Sequence, residues 1–140
     1  IAGRLQAEGR LHDDGRVVHL DDVSEQVVCQ SMAFVMDTRV CDAAAELLAD
    51  VDLGVVEATF RLGDEELAAR YGHMTADQAG RLAAAAGVRR LVVTHFSQRY
   101  PDTAGFGLEA GRHHDDVIAA VDLDRIAVPD RVDAVAGAEA

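Results

Sequence analysis

A chain of 140 residues with 49% hydrophobic content has material for one compact layered domain. It holds no apolar run near the roughly 20 residues of a membrane span, and no basic, apolar-cored leader, so a cytoplasmic location is expected. Thirteen basic residues against 25 acidic ones, a formal charge of −12, exclude nonspecific, charge-driven binding of nucleic acid, and any grip on a polynucleotide must be local.

The chain opens on Ile1 and runs mid-pattern into Gly3-Arg4-Leu5, which reads as the continuation of a longer sequence. Asp13-Asp14-Gly15 is a turn signal, and Arg16 to Leu20 after it reads as a hairpin strand. Val27 to Gln30 and Ser31 to Met36 read as strands, the second ending at Asp37-Thr38-Arg39. A helix is expected from Cys41 to Ala49 with Ala44, Leu47 and Leu48 inward. Cys29 and Cys41 lack Cys-x-x-Cys spacing and read as small packing residues of a reducing compartment. Leu53 to Val56 is the next buried strand and ends at Glu57; Gly63 to Tyr71 reads as a helix with Leu67 and Ala68 inward. Thr75-Ala76-Asp77-Gln78 carries the capping-box signature, and the helix it starts stops at Gly87. Leu91-Val92-Val93 is a β-branched, apolar run ending in Thr94-His95. A looser helix over 107–114 and strands near 117–121 and 125–128 complete the pattern, with residues 130–140 as a disordered tail.

Strands alternating with helices imply an α/β layered sheet, either doubly wound or half of a four-layer sandwich. Asp37, Glu57 and His95 each end a short apolar strand, so side-by-side strands would bring all three to one sheet edge, where α/β sites form. His73, in Gly72-His73-Met74-Thr75, precedes the capped helix and could reach the same edge. A carboxylate and an imidazole suit zinc or manganese, and a second imidazole held by a carboxylate suits general-acid work. Ser97 and Arg99 are candidate phosphate contacts. The plainer readings are that Asp37 caps the following helix and His95 is a hydrogen-bonded core histidine. His12, His19, His113 and His114 read as surface residues.

Taken in order, Met36-Asp37-Thr38-Arg39, Glu57-Ala58-Thr59-Phe60, Gly72-His73-Met74-Thr75 and Thr94-His95-Phe96-Ser97-Gln98-Arg99-Tyr100 resemble the C-terminal half of ribonuclease Z, the metallo-β-lactamase-fold endonucleases that trim the 3′ end of precursor tRNA. The resemblance spans almost the whole chain. It implies that residues 1–129 form the C-terminal portion of a metallo-β-lactamase αββα sandwich. It also implies a site with two zinc ions per subunit (manganese being possible), bridged by Asp37 and ligated by His95. His73 would be the catalytic histidine oriented by Glu57, with Thr59, Ser97 and Arg99 near the RNA and its phosphates. The substrate would be precursor tRNA and the intact enzyme a homodimer. The family's His-x-His-x-Asp-His motif does not occur in these 140 residues, and Val56 stands where many relatives carry histidine. The 140 residues alone are therefore expected to be inactive. Two other readings remain: a metallo-β-lactamase-fold hydrolase of another phosphodiester or a sulfate ester, and a catalytically silent interaction module.

Overall fold

A computed structural model describes residues 2–13, 15–25 and 29–131. Helix α1 (Ala2–Glu8) leads into a hairpin of β1 (Arg10–Asp13) and β2 (Arg16–His19), followed by the single turn α2 (Leu20–Val23). Then β3 (Met32–Val35), α3 (Asp42–Leu48), β4 (Leu53–Glu57), α4 (Glu65–Tyr71), α5 (Ala76–Ala85), β5 (Arg90–Thr94), α6 (Ala104–Ala110) and β6 (Val117–Ala119) follow. Strands β3 to β6 form one sheet in that order, and every pair is parallel. Parallel neighbours need a crossover between them, which α3, the α4–α5 pair and α6 supply. The expected strand over 27–30 falls largely outside the described residues; Cys29 and Gln30 are not in a strand.

The core lies on the helix-covered face of the sheet. Ala33, Val35, Val56, Leu91 and Val93 meet Ala44 and Leu48 of α3, Ala79, Leu82 and Ala83 of α5, and Phe106 and Ala110 of α6. On α3 the inward stripe is Ala44 and Leu48, four residues apart; Leu47 points away and is exposed, contrary to the sequence reading. Likewise Ala68 is buried on α4 and Leu67 only half-buried. The capping box of α5 is complete. The Thr75 hydroxyl accepts from the Gln78 N–H at 3.2 Å, and the Gln78 amide oxygen accepts from the Thr75 N–H at 2.9 Å. Gly80 lets α5 approach α6, since a Cβ there would come within 2.5 Å of the Ala110 carbonyl oxygen.

Helix α6 starts at Ala104 rather than near Gly107, as Asp102 accepts from the Ala104 N–H at 3.1 Å. His113 and His114, expected at the surface, instead tie α6 to its neighbours. His113 Nε2 lies 2.7 Å from Asp77 Oδ1, and the buried His114 places Nε2 2.7 Å from the Val88 carbonyl oxygen. Both cysteines are solvent-exposed, so the packing role expected of them does not hold.

Residues 125–128 form no strand. Pro129 has no N–H, and side chains hold this segment in place of a ladder. Arg90 Nη1 donates to the Ala127 carbonyl at 3.0 Å, Gln30 Nε2 to those of Val128 and Pro129 at 3.1 Å, and Arg89 Nη2 to that of Asp130 at 2.9 Å. Arg131 Nε reaches Asp52 at 3.1 Å. Burial opposes the charge of Asp52, but the Ser31 N–H, Arg89 and Arg131 outweigh it and hold this carboxyl well below the usual range. The rest of the expected tail, residues 132–140, lies outside the described residues.

The opposite sheet face is only partly covered, with Leu53 and Val92 buried on it. Met32 and Phe34 are 60% and 59% exposed there. A shallow concavity lined by Phe34, Val55, Val92, Val121, Leu123 and Ile126 runs up to Thr94 and His95 at the sheet edge. Parallel sheets ordinarily bury both faces, so an apolar parallel sheet that leaves Met32 and Phe34 exposed on its second face fits half of a sandwich.

Candidate metal centre

The C-terminal ends of β3, β4 and β5 stand side by side, because Val35 pairs with Val56 and Glu57 with Thr94. At the first and third of these ends the chain turns through the left-handed region: Asp37 has φ 51° and His95 φ 60°. Aspartate and histidine are among the few non-glycine residues enriched there. Each strand thus stops abruptly and delivers a polar side chain at the edge.

Asp37 Oδ1 lies 3.3 Å from His95 Nε2 and 3.9 Å from His73 Nδ1. One ligand atom from each of Asp37, His73 and His95 falls within 4.8 Å of the others, and the two imidazole rings are 5.4 Å apart. A carboxylate with two imidazoles fits a divalent transition metal.

Glu57 is completely buried beneath them. Its Oε1 faces the Thr38 N–H at 2.6 Å and His73 Nδ1 at 3.0 Å; its Oε2 faces the Thr59 hydroxyl at 2.7 Å and the Met74 N–H at 3.2 Å. Thr59 Oγ1 also lies 2.8 Å from His95 Nδ1. Thr59, expected beside the RNA, is thus buried with its hydroxyl spent inward. The two histidines differ: His73 leans by Nδ1 on a carboxylate, whereas His95 leans by Nδ1 on a hydroxyl and turns Nε2 to Asp37.

Ser97 and Arg99 lie on the loop after His95. The Ser97 N–H donates to the Thr59 carbonyl at 3.0 Å, and the Arg99 guanidinium sits 5.4 Å over the Phe60 ring and 4.0 Å from Asp64. Tyr100 donates to Asp64 and accepts from the Arg61 N–H at 3.0 Å; burial, with Asp64 reinforcing it, pushes its hydroxyl above the usual pKa. Sequence reading missed this Tyr100–Asp64–Arg61 brace, and also the backbone N–H groups of Thr38 and Met74. No residue type marks a backbone donor, whereas the polar Tyr100 beside an apolar strand end was a usable signal. Val56 is fully buried in the core.

The family profile described as "Beta-lactamase superfamily domain" matches residues 15–96, more than half of the chain. The chain belongs to the β-lactamase superfamily. Within this superfamily it is similar to Ribonuclease Z of Nocardia farcinica, 53% identical over 92% of this chain and 43% of that protein. Ribonuclease Z of Thermobifida fusca is 52% identical over 92% of this chain and 42% of its own length. The chain therefore spans less than half the length of these relatives. Among solved structures, human tRNase Z, short form, aligns with TM-score 0.57 and 27% identity over 81% of this chain and 36% of that one. The metallo-β-lactamase fold protein YhfI from Bacillus subtilis aligns with TM-score 0.59 at 22% identity over 64% of this chain and 36% of that one, a likeness of fold. The fold is thus the α/β architecture of the metallo-β-lactamase superfamily, whose members imply metal ions.

Proposed function

We propose that this chain carries the C-terminal portion of a zinc-dependent endoribonuclease that removes the 3′ trailer of precursor tRNA, acting as a homodimer in the cytoplasm. The observation that supports it most is the Asp37–His73–His95 cluster standing on a buried, fully hydrogen-bonded Glu57, in a chain about half identical to proteins named Ribonuclease Z.

Asp37 and His95 would hold the metal. They are too few for two zinc ions, so the remaining ligands come from outside these 140 residues; the same ligands also tolerate manganese. When bound, such ions supply a hydroxide and neutralise charge at phosphorus. His73 is the general acid of this reading. Its Nδ1 is committed to Glu57, which fixes the ring, and Nε2 is left to give a proton to the leaving oxygen. Ser97 and Arg99 would receive a phosphate of the trailer, with the Arg99 guanidinium already 5.4 Å from the centre of the Phe60 ring.

The test is cleavage of precursor tRNA by the full-length protein, with zinc and with chelator, beside the same assay on the 140 residues alone. A zinc-dependent cut at the 3′ side by the full-length protein only is the expected result. Preference for a small chromogenic diester or sulfate ester with no tRNA cut would favour a different hydrolase, and inertness towards every substrate a silent module. Cleavage by the isolated 140 residues would overturn the half-site reading.

A further inference from the structure

We propose that Thr59 is a positioning residue that holds His95 as its Nδ1–H tautomer and so keeps the Nε2 lone pair turned to Asp37. Its purpose rests on the reading of Asp37 and His95 as metal ligands, whereas the tautomer itself follows from the donors that surround Glu57. An ionised carboxylate only accepts, and Glu57 faces four groups: the Thr38 and Met74 N–H groups, His73 Nδ1 and the Thr59 hydroxyl. A hydroxyl has one proton, and Thr59 gives its proton to Glu57 at 2.7 Å. Towards His95, 2.8 Å away, the same oxygen can present only a lone pair, so Nδ1 must supply the hydrogen of that contact. A neutral imidazole has one N–H. Nε2 is then bare.

The outcome is not the one Asp37 favours. With its Oδ1 3.3 Å from Nε2, this carboxylate draws the ring proton to Nε2, while Thr59 draws it to Nδ1. Two differences decide for Thr59. Its contact is shorter, 2.8 Å against 3.3 Å, and lies in a buried network whose hydroxyl orientation is set by Glu57. The Asp37 side chain is 71% exposed, where water competes for its oxygens. Two acceptors are thereby left facing one another, an arrangement that a cation between them relieves. Metal-binding histidines commonly have their second nitrogen fixed in this way, by a carboxylate or a carbonyl. Here a threonine does so, and Glu57 orients that threonine and His73 together.

Long-range proton–nitrogen correlation spectra of the 15N-labelled 140-residue chain read the tautomer directly, in mildly alkaline buffer where ordinary imidazoles are neutral. His95 is expected as Nδ1–H in the wild type and in Thr59→Ser, which keeps the hydroxyl. In Thr59→Val the population moves to Nε2–H, donating to Asp37. Thr59→Ala, which sets no methyl group against Glu57, gives the same shift should the valine variant not fold. An Nε2–H or doubly protonated ring in the wild type overturns the proposal, as does an Nδ1–H ring persisting in both hydroxyl-free variants. This result is independent of the cleavage assay. Failure to cut tRNA with an Nδ1–H ring would remove the function and leave the wiring, and the reverse pair of results would do the opposite.

Discussion

Glu57 closes β4 without any contact with solvent, and both of its oxygens are filled by four donors from three separate places in the chain. Such a carboxylate fixes its neighbours because each donor would otherwise be buried unpaired, at a cost of about 1–3 kcal/mol apiece. Glu57→Gln turns an NH2 group towards at least one of these donors. It is expected to lower stability by about 1–3 kcal/mol in denaturant titration and to lower tRNA cleavage by the full-length protein. Unchanged stability together with full activity would count against Glu57 as the anchor of His73. Asp37, Glu57 and His95 were legible at the sheet edge from sequence, because each followed a short apolar run. That Thr59 faces inward was not legible, since a threonine after a strand looks the same whether its hydroxyl meets substrate or carboxylate.

Between elements, the α5–α6 contact combines a steric and an ionic device. Gly80 gives α6 room, and Asp77 of α5 reaches His113 at 2.7 Å and Arg81 at 2.8 Å. Burial would raise the Asp77 carboxyl, but the hydrogen bonds from His113 and Arg81 outweigh it and hold it below the ordinary carboxylate value. A carboxyl depressed in the folded state stabilises at pH above its unfolded value, and that contribution disappears as pH falls through the folded one. Asp77→Asn is therefore expected to lose about 1.5–3 kcal/mol near neutral pH, with the gap to wild type closing under acid. Thermal unfolding across pH would measure this; a gap that stays constant into acid would exclude the ionic part. The Thr75 capping box was legible because it is local, four consecutive residues with fixed roles. The His113–Asp77 tie joins residues 36 apart in sequence, so it exists only once α6 has packed on α5.

At the scale of the whole molecule, a chain of charge −12 still presents an apolar sheet face with Met32 and Phe34 on its outermost strand. Exposed, contiguous apolar surface on an edge strand favours association. Light scattering of the 140 residues is expected to show mass rising with concentration, and Phe34→Glu to suppress the rise. Equal behaviour of the two would mean that this face is not the sticky one. By itself the sequence determined that β2, β3, β4, β5 and β6 are strands, where the β4 and β5 strands stop and which ionisable groups sit at those stops, since alternation, capping and turn chemistry act over a few neighbouring residues. Only the tertiary structure decided that β3, β4 and β5 lie side by side, that four donors converge on Glu57, that His114 is buried and that residues 125–128 are strapped by side chains instead of paired. Those facts are contacts between residues far apart in the chain, set by which faces pack and which polar groups must then find partners, and no local pattern encodes them.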